Sequence, residues 1–208
     1  MKLTDARRDY YRKLSKAEGY RSRSAYKLAQ LNKSYHILRP GMYVVDLGSA
    51  PGGWLQVAKK EVNQGKVVGI DILNVLPLDG VTILQGDIEE THTVNELIQA
   101  LNGKANALLS DISPNVSGIW NIDHAKQISL SKRSLDIATK VLVAGGDAIM
   151  KVFEGELLEE FREETKKYFR RVFLTKPVAS RQKSSELYMV CLGFSLTGSK
   201  LYQHRNQN

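Results

Sequence analysis

The sequence predicts an α/β fold in which a doubly wound, mostly parallel sheet carries helices on both faces. Three observations support this. Short apolar runs alternate with helix-length amphipathic segments along the chain, as βαβ units require. Strands such as Val67-Val-Gly-Ile70 and Ala107-Leu-Leu109 are apolar without alternation, which suits strands covered on both sides. Finally, the run Met42–Leu47 passes through a glycine-rich turn straight into a helical pattern at Trp54.

Taken in order, residues 1–20 form a basic arm. Ser24 can cap a helix over 25–35, in which Ala25, Leu28, Leu31 and Tyr35 recur at helical spacing. Arg39-Pro40-Gly41 interrupts it. There follow strand 42–47, helix 53–62, strands 66–72 and 81–85, helix 93–101, strand 106–111 and helix 124–143. Strand 147–153, helix 156–168 and strands 170–175 and 187–194 complete the set. The link between the last two strands, Lys176–Glu186, has eleven residues, short for a right-handed helical crossover, so the final strand should run antiparallel.

The turn Asp46-Leu-Gly48-Ser-Ala-Pro-Gly52-Gly53-Trp54 is spaced G-x-x-x-G-G. It is neither the G-x-G-x-x-G of a dinucleotide fold nor a P-loop, so a pyrophosphate cradle is disfavoured. A cofactor with an adenosine and an amino-acid tail fits better. Glycines at 48, 52 and 53 let backbone amides approach such a ligand, and Pro51 suits the first turn of the following helix.

With 208 residues, 42% of them hydrophobic, the chain reads as one domain over 1–208 with a full core. No apolar run reaches eighteen residues and the N-terminus is too charged for a signal peptide, so an intracellular, cytoplasmic protein is expected. The single cysteine, Cys191, excludes a disulfide framework and lies mid-strand, where a small buried hydrophobe is the expected role. Charge is unevenly placed. Residues 1–39 hold eleven Lys/Arg against three Asp/Glu, whereas the remainder holds nineteen of each, so the whole surplus of +8 sits in the first fifth. Interleaved with Tyr10, Tyr11, Tyr20 and Tyr26, this segment has the composition for binding a polyanion with stackable bases, hence a basic nucleic-acid-binding arm and helix over 1–39, with RNA the better fit once the chemistry below is added. The stretch 197–208 reads as a short polar tail.

Acidic residues close three successive strand regions: Asp46, Asp71 and Asp87. Ligands in open α/β sheets bind outside the carboxyl ends of the strands. Asp71 is placed to accept from ribose hydroxyls, and Asp87 from an adenine amine. A fourth strand ends at Asp111, and the fifth carries Lys151 inside an apolar run. An unpaired ammonium there would be costly, so Lys151 should have a partner or a depressed pKa. If the last strand is antiparallel, Glu186 at its start reaches the same edge, and Asp111, Lys151 and Glu186 converge beside the glycine-rich turn.

Asp46-Leu-Gly-Ser-Ala-Pro-Gly-Gly-Trp54, Asp111-Ile-Ser-Pro-Asn115 with Ser117-Gly118, the Lys151 strand, Ser185-Glu186-Leu-Tyr188 and Arg21-Ser-Arg-Ser-Ala-Tyr-Lys27 together resemble the FtsJ family of S-adenosylmethionine-dependent RNA ribose 2′-O-methyltransferases. Within it the chain is similar to the compact RlmE-type enzymes of large-subunit ribosomal RNA. The resemblance spans about residues 7–196. It implies a seven-stranded Rossmann-like sheet with an antiparallel last strand, S-adenosylmethionine as cofactor, and a uridine ribose of 23S-type RNA in the large subunit as substrate. The family's catalytic Lys-Asp-Lys-Glu tetrad falls on Lys27, Asp111, Lys151 and Glu186. Its cofactor contacts fall on Gly52, Trp54, Asp71, Asp87 and Asp111, with Gly48 and Gly53 in the same turn. Trp120 and Asn121 stand where the family carries smaller residues.

The implied reaction is in-line displacement, in which a ribose 2′-oxygen attacks a sulfonium methyl and no metal is required. Lys151 is the expected base, oriented by Asp111, with Lys27 and Glu186 on the ribose hydroxyls. A base-amine methylase would need an aromatic after Ser113-Pro114-Asn115, and a pyrimidine C5 enzyme a cysteine beside the cofactor. Two alternatives stay open: ribose methylation of a tRNA anticodon loop, and a non-catalytic RNA-binding assembly factor. A monomer is the default expectation.

Overall fold

The computed structural model describes residues 3–181 and 184–196, and within 3–9 the backbone only. The expected tail 197–208 lies outside the described residues. Elements run α1 (Leu3–Ala17), α2 (Ala25–Tyr35), β1 (Tyr43–Leu47), α3 (Gly53–Val62), β2 (Lys66–Asp71), β3 (Thr82–Gln85) and α4 (Thr91–Leu101). There follow β4 (Ala105–Ser110), α5 (Trp120–Val141), β5 (Leu142–Phe153), α6 (Leu158–Lys166), β6 (Phe169–Thr175) and β7 (Glu186–Phe194).

The seven strands form one sheet in the order β3-β2-β1-β4-β5-β7-β6. Neighbours from β3 to β5 are parallel, and β7 inserts antiparallel between β5 and β6. The short link before β7 thus does what its length requires. Strand order reverses between β1 and β4, so the loops after Leu47 and Ser110 open onto a topological switch point, where α/β sheets bind ligands.

Side chains alternate between two cores. Val44, Val67, Ala107, Leu109, Ile149 and Val190 face α2 and α3, against Leu28, Leu31, Leu55 and Val57. Val45, Leu47, Val68, Ile70, Leu108 and Met150 face the other way, against Val94, Leu97, Ile128, Leu135 and Phe161 of α4, α5 and α6. The continuous apolar strands are the consequence, since both faces are covered. Cys191 is fully buried in β7, and burial pushes its thiol up, as befits a small core residue.

Four features differ from the sequence reading. The basic arm is a helix, α1, and its aromatic rings are largely spent on packing. Tyr11 meets Tyr26, Tyr26 meets Tyr20, and Gln30 Nε2 donates to the Tyr11 hydroxyl at 3.0 Å. Of the four tyrosines only Tyr10 is exposed. Helix α5 starts at Trp120, not 124, and β5 starts at Leu142, not 147, because the chain runs on through Gly145-Gly146 with a register shift between Ala105 and Ala107 on β4. Pro51 stands in the turn before the α3 cap residue Gly52 (φ 108°), not in the helix's first turn.

Candidate active site

The four sequence-predicted tetrad residues meet at the carboxyl edge of the sheet. Lys151, near the end of β5, donates from Nζ to the Asp111 carbonyl at 2.7 Å and to Asp111 Oδ1 at 3.2 Å. Lys27, from the first turn of α2, donates to Glu186 Oε1 at 2.5 Å. Both lysines are buried, so each ammonium is paired as its desolvation demands.

Tyr188, quoted within a motif but assigned no role in the sequence reading, joins the two pairs. It lies opposite Lys151 in the β5–β7 register. Its hydroxyl donates to Asp111 Oδ1 at 2.8 Å and accepts from Lys27 Nζ at 3.3 Å. Burial, reinforced by the negative charges of Asp111 and Glu186, pushes this phenol well above its ordinary range, so it stays a donor. Period-2 alternation from Glu186 was the available signal: residues 186 and 188 share a strand face.

A second layer holds the backbone. Gln127 Nε2, on α5, donates to the carbonyls of Ile112 at 3.2 Å and Lys151 at 3.0 Å, and the Ser131 hydroxyl donates to the same Lys151 carbonyl at 2.9 Å. These bonds cross-link the ends of β4 and β5 just where their ladder stops at Ser110–Met150. The Asp123 carboxylate accepts from Ser117 N–H, Ser117 Oγ–H and Gly118 N–H, which fixes the loop after Asp111 and lowers its pKa.

The glycine-rich turn is shaped by the chain itself. A Cβ at Gly48 would overlap Ile112, one at Gly52 would lie 2.7 Å from Arg21 Nη1, and one at Gly53 would overlap Ser22 Oγ. The segment 21–24 is therefore strapped over the turn. Arg21 Nη1 and Nη2 donate to the carbonyls of Leu76 and Pro77, both at 2.6 Å, and Trp54 Nε1 donates to the Ser24 carbonyl at 2.9 Å. The Trp54 ring, 2% exposed, packs on Tyr188. Asp71 Oδ2 accepts from Ala50 N–H and Oδ1 from Leu73 N–H, both at 2.8 Å. Asp87, exposed, accepts from Glu89 N–H at 2.9 Å. Each carboxylate retains lone pairs for a ligand.

Asp46 has no such partner. It is 0% exposed, neither of its oxygens has a hydrogen-bond partner among the described residues, and the Ser49 hydroxyl beside the turn is likewise orphaned. Burial, then the charges of Asp111 and Asp71, raise the Asp46 pKa well above the usual carboxylate range. Unsatisfied buried acceptors under a glycine-rich turn fit a ligand carrying donors, as an amino-acid tail does.

A family model described as FtsJ-like methyltransferase matches residues 20–194. The chain is 56% identical over 195 residues to the ribosomal RNA large subunit methyltransferase E of Nitrosopumilus maritimus, covering 93% of this chain and 99% of that protein. It is 48% identical to the protein of the same name from Methanothrix thermoacetophila, covering 89% and 72%. Among solved structures, a Plasmodium falciparum protein described as a ribosomal RNA methyltransferase superposes with a TM-score of 0.74 at 28% identity, covering 84% of this chain and 98% of that one.

Proposed function

The chain belongs to the FtsJ-like methyltransferase family, and from that premise we propose that it methylates a ribose 2′-oxygen, of a uridine, in the 23S-type RNA of the large ribosomal subunit. The observation that carries the reading is the meeting of Lys27, Asp111, Lys151 and Glu186 around one phenol, beside a glycine-rich turn with orphaned buried acceptors. The relatives named for large-subunit RNA support the substrate class.

S-adenosylmethionine would supply an electrophilic methyl on a sulfonium. Gly48, Gly52, Gly53 and Trp54 would border it, Asp71 and Asp87 would take its ribose and adenine, Asp46 its amine, and Asp111 would lie at the reacting end. Lys151 removes the 2′-hydroxyl proton while Asp111 orients its amine through two contacts. Lys27 and Glu186 hold the ribose hydroxyls as a paired donor and acceptor. The surplus charge over residues 1–39 supplies phosphate affinity.

The test is transfer of labelled methyl to intact large subunits, free large-subunit RNA and bulk tRNA, with the product nucleoside mapped by mass spectrometry. A 2′-O-methyluridine in large-subunit RNA is expected. Label confined to tRNA would move the substrate to the anticodon-loop class, and label in none of the three would leave a non-catalytic RNA-binding factor.

A further inference from the structure

The loop that follows Asp111 ends in an aromatic shelf. Trp120, the first residue of α5, lies nearly parallel to the His124 ring (centroids 5.9 Å apart, 21° between planes) and to the Phe153 ring (5.9 Å, 23°). His124 is one helical turn on and buried, and its Nε2 accepts from Leu157 N–H at 3.0 Å. Gly155 sits so close beneath it that a Cβ there would lie 2.7 Å from the imidazole. The Asp123 carboxylate pins the loop immediately before Trp120. Two rings back the indole, yet it remains 45% exposed.

A tryptophan that served the core would be covered, and a solvated helix face has no use for an indole braced by two rings. The location points to its purpose. Phe153 stands two residues beyond Lys151 on β5, about 6–7 Å along the strand. A ribose held at Lys151 therefore puts an adjoining nucleotide within reach of the indole. We infer that Trp120 is a stacking platform for a nucleobase of the RNA next to the ribose that is methylated. This inference rests on the RNA-methylating reading above.

A base suits the shelf better than a protein partner does. Every base offers a π-face to an aromatic side chain, so one indole suffices. A stable protein interface engages roughly 20–30 residues a side. The exposed large apolar residues beside the shelf are few: Val116, Ile119 and Ile122 along the chain, and Leu157, whose N–H bonds His124.

The test compares a fluorescein-labelled ten-uridine oligomer with a matched oligomer of abasic riboses, which carries the same phosphate charge. Fluorescence anisotropy should show wild type preferring the oligomer with bases by roughly 5- to 100-fold. Trp120→Ala should cut that ratio at least fivefold, and Trp120→Tyr should retain most of it. S-adenosylmethionine binding measured on each variant confirms that the fold is intact. A ratio unchanged in Trp120→Ala, or absent from wild type, overturns the inference. Equal weakening of both oligomers also overturns it and marks a packing or protein-docking surface. Methyl transfer by wild type to large-subunit RNA is scored separately, so failure of the enzymatic reading is not confused with failure of the shelf.

Discussion

Tyr188 stands opposite Lys151 across the β5–β7 ladder but gives its hydroxyl hydrogen to that lysine's own partner, Asp111 Oδ1, at 2.8 Å. One carboxylate oxygen thus receives the amine and the phenol together, and the phenol also receives Lys27. Because burial and two carboxylates keep Tyr188 protonated, this link persists across the working pH range.

Tyr188→Phe should keep the ring packed on Trp54 while removing the link. A hydrogen bond to a charged acceptor contributes about 1.5–3 kcal/mol. We expect kcat to fall roughly 10- to 150-fold, with S-adenosylmethionine affinity nearly unchanged by calorimetry. Equal kcat in both proteins would show the phenol to be core filling only.

Lys151→Met preserves the apolar stem and deletes the amine. As general acid–base catalysis contributes about 10²–10⁴-fold, methyl transfer should drop by that factor while RNA and cofactor still bind. Activity within a few-fold of wild type would remove Lys151 from the role of base.

Much of this architecture was legible before any coordinates. Helix α3 begins and ends as read, because a glycine turn and Gly65 bracket an unmistakable helical pattern. The antiparallel β7 followed from loop length alone. The convergence of Asp111, Lys151 and Glu186 followed from strand directions, but Lys27 came only from family resemblance, since no periodicity ties a helix residue to a sheet edge. Tyr188 and Gln127 escaped notice for a related reason. A tyrosine inside an apolar strand and a glutamine on a long helix look like packing and solvation until the facing element is known. The tyrosines of the basic segment misled in the opposite sense, because interleaving with arginine and lysine cannot reveal that the rings of Tyr11, Tyr20 and Tyr26 pack among themselves.

The strap over the glycine-rich turn makes a reciprocal prediction. Gly53→Ala places a methyl into Ser22 Oγ, and overpacking of this kind costs about 1–3 kcal/mol. Thermal stability should fall, and S-adenosylmethionine affinity should fall with it, since the same turn is displaced. Ser22→Ala removes the offending oxygen, so the double variant should recover most of both. Failure of the second change to restore either property would place the strain elsewhere than in the 21–24 strap.

Asp46 predicts a pH dependence whose sign follows from its burial. The folded chain holds this proton more tightly than the unfolded chain does, where Asp titrates near 3.9. Its contribution to stability is therefore complete below about pH 4 and is lost as pH rises through the elevated folded value. Asp46→Asn keeps the shape and cannot ionise. Any fixed cost of the amide is the same at every pH, so the informative quantity is the difference in Tm between variant and wild type. That difference should shift in favour of the variant as pH is raised from 4 to 8 without cofactor. A difference that stays flat would mean that water or another donor already satisfies the carboxylate. The same pair probes the ligand: an amine placed against the orphaned oxygens should raise the Tm of wild type more than that of Asp46→Asn, because only wild type has an ionisable carboxyl there to pair with the cation.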